Sequence, residues 1–171
     1  QKGATPEDVV LLDRALTRMA DVMARDLGCD VRERPGAGAA GGLGAGFLGF
    51  LGARLRPGIE VVIEATGLDQ QLAGAGLVIS GEGRTDGQTL AGKVPLGVAR
   101  AAARHGVPVV VISGAVTADA DALLEQGIHA LLSIAPGPVT LDEAMARAGE
   151  WLRRATAQAM RLVRIGMEAA R

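Results

Sequence analysis

Leu77-Val78-Ile79-Ser80-Gly81-Glu82-Gly83-Arg84-Thr85-Asp86-Gly87-Gln88-Thr89-Leu90-Ala91-Gly92-Lys93 decides the reading of this chain. It opens on a short apolar run, passes through a polar segment punctuated by glycine, and delivers the chain to a helical pattern from Val94 to His105. The rhythm repeats downstream: apolar Val107 to Ser113, a short helix near Asp119 to Gln126, then apolar Ile128 to Ile134. Strands that are nearly continuously apolar and alternate with helices predict an α/β fold, with a parallel sheet of three or more strands covered by helices.

Pro136-Gly137-Pro138 breaks the chain after the last of these strands. Thr140-Leu141-Asp142-Glu143 has the spacing of a capping box, and Met145, Ala148, Leu152, Ala155 and Ala159 continue as one long closing helix. Upstream, Thr5-Pro6-Glu7-Asp8 supplies an N-cap and a proline at the first helical position. Val9, Leu12, Leu16, Met19, Met23 and Leu27 follow at steps of three and four, so a helix is predicted up to Gly28. The glycine-rich stretch from Gly36 to Gly42 holds no regular element until Leu43, Phe47, Leu48 and Leu51 resume a helical spacing. Ile59 to Glu64 reads as strand by its β-branched content or as helix capped at Gly67, and helix is the preferred reading. The change of rhythm near Leu68 to Gly74 divides the chain into residues 1–72 and 73–171.

With 171 residues, 49% of them apolar, the chain can bury a genuine core. Its 18 basic and 19 acidic residues nearly cancel, so no net field draws it to nucleic acid or to an anionic membrane. Phe47, Phe50 and Trp151 are the only aromatic residues, which removes base-stacking platforms. No apolar run approaches the roughly 20 residues that cross a bilayer. Cys29 is a single cysteine, which fits a cytoplasmic protein. The basic residues are almost all arginine; Lys2 and Lys93 are the exceptions, and each therefore invites the question of what a compact ammonium does there.

Loops at the carboxyl ends of parallel strands are where open α/β sheets bind ligands. Glu82, Arg84, Asp86 and Lys93 lie on such a loop and are expected to converge on a cleft at the end of the Leu77 to Ser80 strand. Four ionisable groups are costly to bury unpaired, so the plain alternative is a solvated loop paired with itself. The glycines favour the functional reading, because permissive backbone lets a main chain approach a ligand. Gly87-x-x-x-x-Gly92-Lys93 approaches a Walker A motif but has Val94 where a magnesium-binding hydroxyl belongs. What survives is a lysine at the start of a helix, a position suited to phosphate. The glycines from Gly36 to Gly46 read equally as tight helix packing or as an anion-binding turn. His105, His129 and Cys29 have no metal-ligand or nucleophile spacing, and Ser80 and Ser113 have no nucleophile elbow.

Gln1 to Glu7, Pro35 to Gly44, Gly81 to Lys93 and the Val107-Pro108 strand start together resemble successive motifs of the bacterial family of ATP-dependent D-glycerate kinases. The resemblance covers essentially the whole chain and is most specific from Gly81 to Lys93. It implies a Rossmann-like domain built from both ends of a longer protein, with a second α/β domain inserted. Residues 1–72 would close the inserted domain and residues 73–171 would supply later strands of the Rossmann-like one. The missing N-terminal part of the same protein then becomes an expected partner. The implied reaction converts D-glycerate and ATP to phosphoglycerate, with 2-phosphoglycerate the expected product. On that reading Arg84 meets the glycerate carboxylate, Asp86 the substrate hydroxyl or Mg2+, and Lys93 the transferred phosphate. Glu82 is a second metal ligand, and Gly36, Gly38, Gly41, Gly42, Gly81, Gly83 and Gly92 line the nucleotide. The alternative is a non-catalytic Rossmann-like module that binds a phosphorylated metabolite or a partner chain.

Overall fold

The computed structural model describes residues 3–170; Gln1 and Lys2, where the first family-like motif begins, and Arg171 lie outside the described residues. The chain forms two compact units, residues 1–56 and 57–171.

In the first unit, α1 runs from Pro6 to Leu27. The Thr5 hydroxyl accepts the Asp8 N–H at 3.2 Å and the Asp8 carboxylate accepts the Thr5 N–H at 3.0 Å, so the helix begins on a reciprocal capping box. Gly28 closes it in the left-handed conformation at φ 65°. A second helix, α2, spans Ala39–Leu51, but Ala40, Gly41 and Gly42 are themselves left-handed. Regular helix thus resumes at Leu43, as the apolar spacing predicts. Ala20, Met23, Val31, Ala37 and Ala45 make the core of this unit.

The second unit begins with α3 (Gly58–Thr66), ended by left-handed Gly67, and α4 (Leu68–Leu72). The helical reading of Ile59 to Glu64 holds. Strands β1 (Val78–Ser80), β3 (Val109–Ser113) and β5 (Ala130–Ser133) form a parallel sheet in the order β1-β3-β5. Ser80 lies opposite Val111, and Ser113 opposite Ser133. Two further two-residue strands, β2 (Arg84–Thr85) and β4 (Ala115–Val116), pair in parallel beyond the ends of β1 and β3. Between β2 and β3 come a 3-10 turn, Gly87–Ala91, and α5 (Val94–Ala103).

The core of the second unit joins Leu96, Ala99 and Ala102 of α5 to Val109 and Val111 of β3, and to Leu123 and Ile128. Alternation along a strand puts Ile112 on the opposite face from Val109 and Val111. There it meets Leu152 of α7 (Ala148–Ala169) across a cleft, so helices lie on both faces of β3. This explains why β3 is apolar without alternation.

Two sequence expectations need correction. The compact units meet at Arg56 and Pro57, not at 72 and 73, because Leu72 is buried in the second core and Ile63 and Leu68 pack against it. The short helix expected near Asp119 to Gln126 is present, as a 3-10 helix from Ala118 to Gln126. The closing helix is two helices, α6 (Leu141–Ala146) and α7, separated at Arg147 with φ −107° and ψ 9°. Thr140 does cap α6 by accepting the Glu143 N–H. The Glu143 carboxylate instead reaches forward to Arg147, at 3.5 Å, and Arg147 also pairs with Glu150 at 2.9 Å and lies over the Trp151 ring at 5.2 Å. That set of contacts anchors the break.

Candidate active site

β1 ends at Ser80 and the chain turns at Gly81, where a Cβ would overlap the carbonyl oxygen of Ile112. Glycine here permits β1 to leave the sheet in contact with the β3 backbone. Gly114 does the same from the other side, since its Cβ would overlap the carbonyl of Gly83. Two backbones in such contact explain how β2 and β4 pair: the Ala115 N–H donates to the Gly83 carbonyl at 3.1 Å and the Gly114 N–H to the Glu82 carbonyl at 3.2 Å.

Within this frame, Glu82 turns inward. Its Oε1 accepts hydroxyls from Thr89 at 2.7 Å and Thr85 at 3.2 Å. The Thr85 hydroxyl also meets Ser113 at 2.7 Å, and Ser113 accepts the Glu82 N–H at 3.4 Å. Thr85, Thr89 and Ser113 are buried, and among the described residues no buried side-chain polar atom lacks a partner. Burial of three hydroxyls is tolerated because each has a partner.

Asp86 caps the 3-10 turn: its Oδ1 accepts the Gln88 N–H at 3.0 Å, and its own N–H donates to Thr89 Oγ1 at 3.4 Å. The carboxylate is 18% exposed and stands between two cations, 3.3 Å from Arg84 Nε and 3.6 Å from Lys93 Nζ. Lys93 is the N-cap residue of α5, and Gly92 before it adopts φ 94°, which a residue with a side chain would resist. The structure thus brings Arg84, Asp86 and Lys93 together.

Of the four residues expected to converge, Glu82 lines the cleft at the carboxyl end of the sheet. A cleft of about 560 Å3 opens at the ends of β1 and β3, lined by Ser80, Glu82, Ser113 and Gly114 and, from α7, by Gly149 and Leu152. Arg84, Asp86 and Lys93 are not among its lining residues, because after Gly83 the chain enters β2 and runs beside β4.

Asp119 is a residue that sequence reasoning missed. Its Oδ2 accepts the Gly87 N–H at 3.0 Å, and its Oδ1 accepts the Thr117 hydroxyl. These two donors, with the charge of Arg84 nearby, hold the Asp119 carboxyl below its ordinary value. Gly87 is glycine for a related reason, since a Cβ there would lie 2.7 Å from Asp119 Oδ2. No local spacing signals this contact across 32 positions.

The glycines proposed for the nucleotide divide. Gly81 and Gly92 serve backbone contact and turn geometry, whereas Gly83 faces open space. In the first unit, Gly42 sits against Leu16 at φ 89° and Gly36 takes φ 86° with Leu55 close by. Both are small for packing or turn reasons, as is Gly41 at φ 67°, whereas Gly38 faces open space. A cleft of about 370 Å3 touches Gly38 and Gly42 together with Asp13, Thr17 and Arg32. For metals, among the described residues no group of three or more His, Cys, Asp and Glu could hold an ion. Nor, among those residues, is any helix long and apolar enough to cross a membrane.

Comparison with known proteins bears on what this site can do. The model described as glycerate kinase family matches residues 1–164. The chain is 46% identical over 155 residues to a glycerate kinase of Halalkalibacterium halodurans, covering 91% of this chain and 41% of that protein. It is 43% identical over 167 residues to the glycerate 2-kinase of Escherichia coli, covering 98% of this chain and 44% of that one. A crystal structure of a protein of Salmonella typhimurium LT2 that carries the name glycerate kinase 2 superposes with a TM-score of 0.71 at 46% identity, covering 98% of this chain and 43% of that chain. The chain therefore spans about two fifths of the length of the curated relatives it matches.

Proposed function

The chain belongs to the glycerate kinase family, and from that premise we propose that it supplies the acid, the cations and the loop with which a longer protein phosphorylates D-glycerate from ATP. The observation that carries this reading is Asp86 held between Arg84 and Lys93 on the loop that follows β1. Phosphoryl transfer asks little covalent chemistry of a protein and much positioning of charge. Lys93, at the first turn of α5, lies where an ammonium and a helix N-terminus act together on phosphate oxygens. Arg84 is exposed, and its planar fork matches the glycerate carboxylate. Asp86 can accept a hydrogen bond from the attacking hydroxyl and orient it toward the phosphoryl group.

Magnesium takes one or two protein carboxylates and fills its octahedron with phosphate oxygens and water. Asp86 fits that demand as a partly exposed carboxylate. Glu82 fits it less well, since its Oε1 already holds two hydroxyls. When bound, the ion would neutralise charge on the phosphates. Gly83, with open space where a side chain would be, is a loop position at which a nucleotide could approach the main chain. We assign residues 1–56 to the end of an inserted domain and 57–171 to the later part of a Rossmann-like domain, acting in the cytoplasm.

A second reading, a module that binds a phosphorylated metabolite or a partner without turnover, draws on the self-pairing of Arg84, Asp86 and Lys93. Phosphorus NMR separates the two. A protein carrying this chain with the part of the relatives' length that it does not match is incubated with MgATP and D-glycerate. The kinase reading predicts ADP and 2-phosphoglycerate; tight binding of phosphoglycerate with no ADP formed would support the module and refute the kinase.

A further inference from the structure

The carboxylate of Glu82 and the backbone N–H of Asp86 meet on one buried hydroxyl. Thr89 Oγ1 donates to Glu82 Oε1 at 2.7 Å and accepts the Asp86 N–H at 3.4 Å. Thr89 is fully buried, and its own N–H donates to the Asp86 carbonyl at 2.9 Å. Both ends of the Asp86 backbone are therefore tied to Thr89, while the side chain of Thr89 fixes Glu82.

The proton arrangement follows from the donor inventory. Both threonine hydroxyls donate to Glu82 Oε1, which accepts. With its hydrogen committed, Thr85 Oγ1 accepts from Ser113, and Ser113 in turn accepts the Glu82 N–H. The circuit leaves Glu82 at its amide and returns at its carboxylate, and each bond polarises the next. Thr89 lies outside this ring and is the member that connects it to Asp86.

We propose that Thr89 is the positioning residue that couples Glu82 to Asp86, so that the hydroxyl network around Glu82 holds the Asp86 backbone in place for its work on the substrate. The proposal rests on the kinase reading above and deepens it. A hydroxyl is required because one atom must donate and accept at once.

The test uses Thr89→Val, which keeps the shape and removes both hydrogen bonds, and Thr89→Ser, which keeps the hydroxyl. In the protein carrying this chain with the rest of the relatives' length, Thr89→Val should lower kcat by about 10-fold or more, the usual effect of removing a group that orients a ligand-binding residue. The KM for D-glycerate should stay within about two-fold, and Thr89→Ser should restore most of the rate. Adding Thr89→Val to Glu82→Gln should cost little beyond Glu82→Gln alone, because the pair acts together. Full additivity in that cycle, or an unchanged kcat in Thr89→Val, would overturn the proposal. So would a loss that Thr89→Ser fails to restore, which marks a merely structural side chain. A separate readout needs no turnover: amide exchange at Asp86, followed by NMR, should quicken in Thr89→Val and stay slow in Thr89→Ser. If the wild-type protein forms no ADP from glycerate, the kinase reading fails by itself, and unchanged Asp86 exchange in Thr89→Val would still overturn the hydroxyl link.

Discussion

Gly81 and Gly83 sit two residues apart on the same loop, yet the structure gives them different tasks. At Gly81 a methyl group would run into the carbonyl of Ile112, whereas at Gly83 it would meet nothing within 4 Å. The obstacle at Gly81 is backbone in the central strand β3, so no rotamer change can relieve it. Ser80, paired opposite Val111, must move away instead. Overpacking against a fixed neighbour costs about 1–3 kcal/mol, and the rigid partner places Gly81→Ala near the middle, about 2 kcal/mol. For a chain of this size that corresponds to a fall of about 4–8 °C in Tm. Gly83→Ala should stay within about 1 °C, since surface substitutions away from special features are nearly neutral. The assay is thermal melting by circular dichroism on both variants, paired with calorimetric titration of MgATP. If Gly83 marks close approach of a ligand, Gly83→Ala should weaken nucleotide binding while leaving Tm untouched. Equal melting temperatures for the two variants would refute the argument from backbone contact.

Ala40 adopts φ 52° and ψ 45°, the one non-glycine residue at positive φ among those described, so Ala40→Gly should stabilise the protein by about 0.5–1 kcal/mol, read as a rise in the urea midpoint. Arg84→Lys should raise the KM for D-glycerate more than it lowers kcat, because a planar fork becomes a point charge; steady-state kinetics decides this. Asp119 is held below its ordinary value near 3.8, so its contribution to stability is fully present above that pH and is lost as pH falls through the lowered folded value. Asp119→Asn should therefore lower Tm at pH 7, with the gap to wild type closing below about pH 3.8; melting curves at pH 7 and pH 3 check the sign.

The helices and strands were legible where a local signal carried them. Thr5 and Asp8 announce α1, Gly28 ends it, and the apolar run before Gly114 is largely buried because helices cover β3 on both faces. The break at Arg147 was not legible, since Glu143, Glu150 and Trp151 look like ordinary helix residues until they close around one guanidinium. The boundary near residue 72 failed for a similar reason: the change of rhythm marks where the sheet begins, whereas α3 and α4 already belong to its core.

At the site, charge and glycine content pointed to Glu82, Arg84, Asp86 and Lys93, and the structure brings the last three within ion-pair distance. The hydroxyls of Thr85, Thr89 and Ser113 were silent in the sequence. Threonine and serine carry no charge pattern, and Ser113 reaches Thr85 across 28 positions only because β1 and β3 are neighbours in the sheet. Glu82 consequently looked like a free metal ligand, whereas its Oε1 is engaged by two threonines.

The central claim is that Asp86 and Lys93 serve phosphoryl transfer to D-glycerate, and the initial rate of glycerate-dependent ADP formation tests it most directly. The measurement compares wild type, Asp86→Asn and Lys93→Ala, each in a protein that carries this chain with the rest of the relatives' length. The account predicts turnover in the wild type and a fall of about 100-fold or more in each variant, the effect of removing one preorganised electrostatic group. Near-normal rates in both variants, or no glycerate-dependent ADP from the wild type, would contradict it.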